Sequence, residues 1–409
     1  MKATGDLQLL KRINRSALLR LMLRHPGYSR ARLAQCSGLT KSTVSALVRE
    51  LVDEAWLVEC DPTMAPDGVG RPSTPLRIND TKRALVGVEI AVDCIRAVCV
   101  SLTGSVLSAT EVALEHNSPK KVAEQTARVV QGLWHSQEER EFILCGVGVC
   151  LPAAINDLAG IVRLAPNLGW RNVEFLKMIQ AEVTCSGLPP TLVHLQNDAD
   201  SAALGEYEFG EEGGNGNSPL IFINCDVGVG AGIVLNDRLF TGSQGTAGEI
   251  GHTILEVDGP LCSCGRRGCA EAFIGSQALR KLTGLESAGR YLGVLMQNLD
   301  AMFNPSVLVL GGRSCLENPD FVQVARDTLF NYVSHTGMPA PEVRIARHGL
   351  WAAAVGAAAL VLHRFLRPMN DRQEVSFDNR NVTPTKEDTC RSRIELRNQP
   401  GGTRRVFGH

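Results

Sequence analysis

Between Gly251 and Cys269 the chain reads GHTILEVDGPLCSCGRRGC, which places His252, Cys262, Cys264 and Cys269 within eighteen positions. No other stretch restricts the fold as tightly, because four metal ligands must converge on one point whatever surrounds them. Zinc favours four nitrogen and sulfur ligands in a tetrahedron, and one imidazole with three thiolates satisfies it. Gly265 and Gly268 stand where so short a loop has to turn. Four protein ligands leave no position for water, so the predicted metal is a structural Zn2+ and not a catalytic one. Redox sensing by the same three thiols is the alternative chemistry. Glu249 and Glu271 stand just outside the knot.

The remaining cysteines do not extend the metal argument. Thirteen in a chain of 409 residues is an odd count without a framework spacing, so reduced core residues such as Cys94 and Cys99 are expected. With 44% apolar and 21% charged residues, the composition is that of a globular protein of two or three domains. No run of about 18 apolar residues is evident, and the opening MKATGDLQLLKRINRS lacks the apolar region of a signal peptide. The expectation is a cytoplasmic protein. The net charge of −1 conceals an asymmetry: residues 1–83 carry 14 Lys/Arg against 8 Asp/Glu. A basic head on an acidic body predicts that the head meets a polyanion.

Residues 16–59 read as three short helices. Ser16 is expected to cap the first and Pro26-Gly27 to end it; Ser29 and Gly38 bracket the second. Thr40 opens the third, whose apolar stripe is Val44, Leu47, Val48, Leu51 and Val52. Two helices joined by a short Gly-containing turn form the helix-turn-helix pattern. That stripe leaves Lys41, Ser42, Thr43, Ser45 and Arg49 free to meet base edges and phosphates. WLVEC and PLRIN can pair as a hairpin, which makes the motif winged, with Arg71 in the wing positioned for a minor groove. A three-helix bundle that binds a protein is the rival reading of the same helices.

From Arg83 the pattern becomes strands, Gly-rich turns and helices, which indicates α/β lobes with ligands at the carboxyl ends of strands. No convincing internal sequence repeat is visible. The expected organisation is a DNA-binding head over 1–82 and a first lobe over 83–196, to which a helix at 350–366 returns. A second lobe follows over 197–349, and a polar, disordered tail over 367–409. In LQNDADSAALG, Asp198 is either a helix cap or a carboxylate at a cleft mouth, with Asn197 binding beside it. The glycines of DVGVGAGIV suit a phosphate loop or, more simply, a β-turn.

These segments in this order resemble the ROK family, named for repressors, open reading frames and kinases. GEIGHTILEVDGPLCSCGRRGCAE is similar to the family signature almost letter for letter, with LAPNLGW, QNDAD, VGAGIV and VLVLGG in the family's order. The resemblance spans about 84–366. With the head it points to the repressor branch typified by regulators of xylose and N-acetylglucosamine operons. It implies an actin-like, sugar-kinase-type body of two lobes with a sugar in the cleft. Asn197, Asp198, Glu249, His252 and Glu271 match the sugar-binding positions, with Asn167 as a further candidate. Asp198 is also where the kinases keep their catalytic base. The resemblance implies that His252 gives one ring nitrogen to zinc and turns the other to the sugar.

The departures bear on catalysis. The kinases open with Asp-x-Gly, where this chain has Glu89 and Ala91; their Gly-Thr-Gly is here Asp226-Val227-Gly228. A carboxylate beside a polyphosphate repels it, so no kinase activity is expected. The expected protein is a sugar-responsive repressor that binds double-stranded operator DNA as a homodimer. A sugar kinase with a regulatory head, and a repressor controlled by a protein partner, are the alternatives.

Overall fold

A computed structural model describes residues 7–61, 74–137, 141–210, 218–281, 284–335 and 337–367. Arg71 and all of the expected tail except Arg367 lie outside them. The head begins with α1 (Leu7–Arg24), α2 (Arg30–Ser37) and α3 (Lys41–Asp53). Two of the expected boundary signals operate as written. The Ser29 hydroxyl accepts from the Arg32 amide, and Thr40 accepts from the Thr43 amide at 3.2 Å. Gly38 ends α2 at φ +70°.

Ser16 departs from expectation. It lies in the middle of α1, buried, and donates to the carbonyl of Phe365 at 3.3 Å. The turns before it are held from outside, by Lys11 on Glu50 at 2.8 Å and by Arg15 on Glu50 and Glu54 of α3. Tertiary ion pairs thus override the local cap. After α3, β1 (Leu57–Glu59) pairs antiparallel with β2 (Leu76–Ile78).

The body contains two five-stranded sheets wound in the same way. In the first, β3 (Arg83–Ile90), β4 (Cys94–Ser101) and β5 (Val106–Ala113) form an antiparallel meander. The helix α4 (Pro119–His135) leads to β6 (Ile143–Leu151), parallel to β3. A small three-stranded sheet, β7 (Ala154–Asn156), β8 (Ile161–Ala165) and β9 (Trp170–Val173), precedes α5 (Phe175–Cys185) and β10 (Val193–Asn197). The helix α6 (Asp198–Glu208) follows.

The second sheet repeats the order. Its meander is β11 (Leu220–Cys225), β12 (Val229–Leu235) and β13 (Arg238–Leu239). The metal-ligand loop, α7 (Glu271–Ile274), α8 (Ser276–Lys281) and α9 (Gly284–Phe303) lead to β14 (Val307–Gly311). Next come α10 (Arg313–Glu317), α11 (Pro319–Ser334), β15 (Glu342–Ile345) and α12 (Ala352–Leu366). The orders β10-β6-β3-β4-β5 and β13-β12-β11-β14-β15 are equivalent.

Each sheet's last helix crosses to the other lobe. Ala202, Ala203, Leu204 and Tyr207 of α6 join the core of the second sheet, whereas α12 lies on β3 and β6 of the first. Small residues make the crossing possible. A Cβ on Gly356 would lie 1.9 Å from the carbonyl oxygen of Ser201, and one on Gly148 would lie 1.7 Å from that of Ala357. The Ala/Gly-rich sequence of α12 is therefore a requirement of packing. Gly349–Leu366 is apolar and long enough to qualify as a membrane span, unlike the expectation from the raw sequence, but 67% of it is buried in the protein.

Head and body share one hydrophobic cluster, in which Leu18, Met22, Leu51 and Trp56 meet Leu85, Val98, Leu362 and Leu366. Trp56 stacks on Phe365 at 4.6 Å and receives the Arg83 guanidinium on its other surroundings at 4.1 Å from the ring centroid. Arg83 also donates to the Glu54 carbonyl at 2.7 Å.

Candidate functional site

The four atoms that His252, Cys262, Cys264 and Cys269 offer a metal all lie within 4.8 Å of one another. Cys264 and Cys269 Sγ are 3.7 Å apart, and Cys262 Sγ is 3.8 Å from His252 Nδ1. Two sulfurs bound at 2.3 Å to a tetrahedral centre would stand about 3.8 Å apart, so the donor set fits zinc in spacing and in chemistry. Gly265 and Gly268 adopt φ of +85° and +74°, and a Cβ on Gly268 would lie 1.6 Å from the Glu256 carbonyl oxygen. The glycines are thus required by backbone geometry. Hydrogen bonds from the Arg266 backbone and side chain lower the exposed Cys264 thiol to about 6, whereas burial pushes Cys269 up to about 12.

The knot is fastened to acidic residues of the cleft. Ser263 donates to Glu271 at 2.8 Å, and the other Glu271 oxygen accepts from the Val229 amide at 3.2 Å. Glu249 lies beside both His252 and Glu271; burial raises its pKa, His252 opposes that and Glu271 adds to it. Asp198 lies within electrostatic range of Glu249, and burial pushes its carboxyl up to about 6. Asp198, Glu249, His252 and Glu271 therefore form one constellation from three chain segments.

Two expected members stand apart. Asn197, and not Asp198, caps α6: its Oδ1 accepts from the Asp200 amide at 3.1 Å, while its Nδ2 donates to the Ala153 carbonyl at 3.2 Å. Both ends of that side chain are engaged in holding the strand-to-helix turn. Asn167 is exposed on the one-turn helix Pro166–Leu168, and no hydrogen bond among the described residues ties it to the others.

Two neighbours were not evident from spacing. Asn224, near the end of β11, donates to Asp198 at 3.3 Å. Glu89 is paired with Arg96 at 3.1 Å; burial nevertheless pushes it up to about 7, with Asp198 and Asp226 adding to the rise. A polar residue closing an otherwise apolar strand was the only available signal for Asn224. Nothing in sequence spacing links Glu89 to Arg96, which faces it across an antiparallel register.

On the head, Lys41, Ser42 and Arg49 are exposed on α3, with Thr43 and Ser45 half-buried. Val44, Leu47, Val48 and Leu51 are buried, but Val52 is only half-buried at the edge of the stripe. The Ser42 and Thr43 hydroxyls each bond Thr40 Oγ1, at 2.9 and 2.8 Å, so part of their capacity serves the helix start.

A sequence profile described as the ROK family matches residues 85–285. The xylose repressor of Bacillus subtilis (strain 168) is 28% identical over 387 residues, covering 88% of this chain and 98% of that one. The glucokinase of Streptomyces coelicolor is 28% identical over 319 residues, covering 67% of this chain and 96% of that one. A solved ROK family transcriptional regulator, described as a homologue of the E. coli MLC protein, superposes with a TM-score of 0.71 at 21% identity. It covers 88% of this chain and 98% of its own. A ROK family glucokinase from Streptomyces griseus, solved with glucose and AMPPNP, superposes with a TM-score of 0.58 at 26% identity, over 68% and 98% of the two chains. The body thus has the actin-like, two-lobed ROK fold.

Proposed function

The chain belongs to the ROK family, and from that premise we propose that it is a sugar-responsive transcriptional repressor. The observation that carries this reading is the extent of likeness. The xylose repressor matches 88% of the chain, more than residues 83–367 make up, whereas the glucokinase matches 67%. The three helices and the β1–β2 pair act as a winged helix-turn-helix over residues 1–82. Lys41, Ser42, Thr43, Ser45 and Arg49 of this unit meet operator DNA, with Arg71 contributing from the wing. Two copies of the chain bind a two-fold-related operator as a homodimer in the cytoplasm.

The sugar site is the cleft between the lobe of 83–196, with its returning helix at 350–366, and the lobe of 197–349. Asp198, Glu249, Glu271 and the Nε2 side of His252 face the hydroxyls, while Asn197 holds the turn that presents Asp198 and Asn167 approaches from the rim. Several acceptors in a buried cleft reject compounds that lack matching hydroxyls, because their own polar groups would be left unpaired. A structural zinc on His252, Cys262, Cys264 and Cys269 fixes the imidazole and, through Ser263, Glu271. The protein is not an enzyme on this reading. Glu89 stays engaged with Arg96, and Asp226 brings a carboxylate to the second phosphate position.

Purified protein screened for thermal shift against aldoses, N-acetylhexosamines and their phosphates tests the reading. A bound sugar at 100 times its Kd contributes about 2.7 kcal/mol of apparent stability. DNA affinity should fall in the presence of that sugar. Sugar-dependent ADP formation abolished by Asp198→Asn would instead establish the kinase, and absence of any sugar shift would favour control by a protein partner.

A further inference from the structure

One group of polar side chains lies far from the cleft, at the seam between head and body. Arg24, the last residue of α1, donates to Asp237 at 3.2 Å and to the Tyr207 hydroxyl at 3.4 Å. The Tyr207 hydroxyl in turn donates to Asp237. The three residues come from three separate places: the head, the end of α6, and the turn between β12 and β13. Beside them Glu208 accepts from Arg367 at 2.6 Å and bonds His363 at 2.5 Å, which fixes the same end of α6 to α12.

Both body partners of Arg24 sit on elements that start at the candidate sugar site. α6 begins at Asp198 and reaches Tyr207 after nearly three turns, about 15 Å along a rigid helix. β12 begins at Val229, whose amide is held by Glu271, and ends at the Asn236-Asp237 turn. That turn has φ of +51° and +63° at its two central residues, the tight hairpin geometry that matches strand twist. The two elements cannot slide past each other, because a Cβ on Gly232 of β12 would lie 2.2 Å from the Ala199 carbonyl oxygen of α6. The start of α6 is thus packed on β12 of the second lobe, whereas its end is bonded to α12 through Glu208. The head rides on the first lobe, since its core is continuous with α12 and the first sheet. Arg24 spans the boundary between the two.

We infer that Arg24, Tyr207 and Asp237 form a clasp that positions the head, and that the clasp transmits cleft occupancy to it. This rests on the sugar-responsive reading above. Closing the lobes about a sugar carries Asp237 with β12, while Tyr207, on the end of α6 that Glu208 bonds to α12, stays with Arg24 and the first lobe. The clasp then loses its geometry and the head its fixed orientation. All three are positioning residues; none touches sugar or DNA.

The test uses the full chain, D-xylose and D-glucose as probes, and a duplex selected by the wild-type protein from a random-sequence pool. Calorimetry gives sugar affinity, and fluorescence anisotropy gives DNA affinity with and without sugar. The wild type should lose about 5- to 150-fold in DNA affinity on saturation with the sugar it binds. In Tyr207→Phe, Asp237→Asn and Arg24→Met that ratio should fall below about 2-fold while sugar affinity stays within about 2-fold of wild type. Arg24→Lys should restore part of the ratio. Asn tolerates the left-handed backbone at 237, and Tyr207→Phe removes only a hydroxyl, so at least one variant retains the fold. Wild-type ratios in all three variants would overturn the clasp alone. If neither sugar binds the wild type, the sugar that gives the largest thermal shift in the panel above replaces them, and failure of that whole panel would overturn the sugar reading and the clasp with it.

Discussion

The two lobes have the same strand order, yet they differ in what hangs from equivalent positions. In the first, the turn after β3 is guarded by Glu89 paired with Arg96, and the helix after the last strand opens at Asp198 in the cleft. In the second, the turn after β11 carries Asp226 and Val227, and the helix after the last strand is the buried, apolar α12. Among the described residues, only the second lobe holds a metal-ligand loop. One strand order used twice thus carries different loads: one half seats the head, and the other carries most of the candidate site.

The comparison is most exposed where the two final helices cross. Gly356→Val puts carbon 1.9 Å or less from the Ser201 carbonyl and should cost about 3 kcal/mol or more in urea unfolding. A Cβ on Gly205 would lie 3.0 and 3.1 Å from Cα and N of Gly356, a milder crowding, and Gly205→Ala should cost about 1 kcal/mol. Equal losses would show that the crossing is not the tight point between the lobes.

Cys264→Ser should lower bound zinc from about one per chain to none by elemental analysis. The melting midpoint should fall by about 1 °C for each kcal/mol the metal contributes. Sugar response should go with it while DNA affinity in the absence of sugar is retained. Full response without metal would separate the knot from sensing and leave the lobes more alike than proposed.

Asp198→Asn separates binding from stability. The raised pKa of Asp198 means that its contribution to stability is present below its ordinary pKa and lost as pH rises through about 6. The Asn variant should therefore be more stable than wild type at pH 7.5, by about 1–2 kcal/mol once its opening onto the cleft is allowed for. At pH 4 the difference should vanish. Sugar affinity should fall about 10-fold through loss of a charged acceptor. A variant less stable at pH 7.5 would refute the burial argument.

The smallest effect belongs to the ion pair that joins the lobes at the cleft rim, Arg313 to Asp93 at 3.7 Å. Its side chains are 43% and 67% exposed. Arg313→Ala should change unfolding free energy by under about 1 kcal/mol, and less in high salt. A larger, salt-insensitive loss would make this contact a structural bond between the lobes.

Much of this was legible in the order of residues. Ser29, Gly38 and Thr40 act within three residues of themselves, and Gly265 turns the metal-ligand loop through its own positive φ. Asp198, Glu249, His252 and Glu271 were named through resemblance to a family signature. That Asn197 caps α6 and also bonds Ala153, some forty residues earlier, was not legible in its spacing. Ser16 was misjudged because its environment is the carbonyl of Phe365, almost the whole chain away.

By itself, the sequence determined the local elements and the donor set of the metal site, since caps, turns and ligand spacing are short-range effects. It did not reveal the duplicated strand order, because two sheets can share a winding while sharing few residues. Only the tertiary structure decided that α6 and α12 exchange lobes, that Arg96 engages Glu89, and that Arg24 reaches Tyr207 and Asp237. The first and last depend on close approach between segments distant in the chain, whereas Arg96 meets Glu89 through the register of the β3–β4 hairpin.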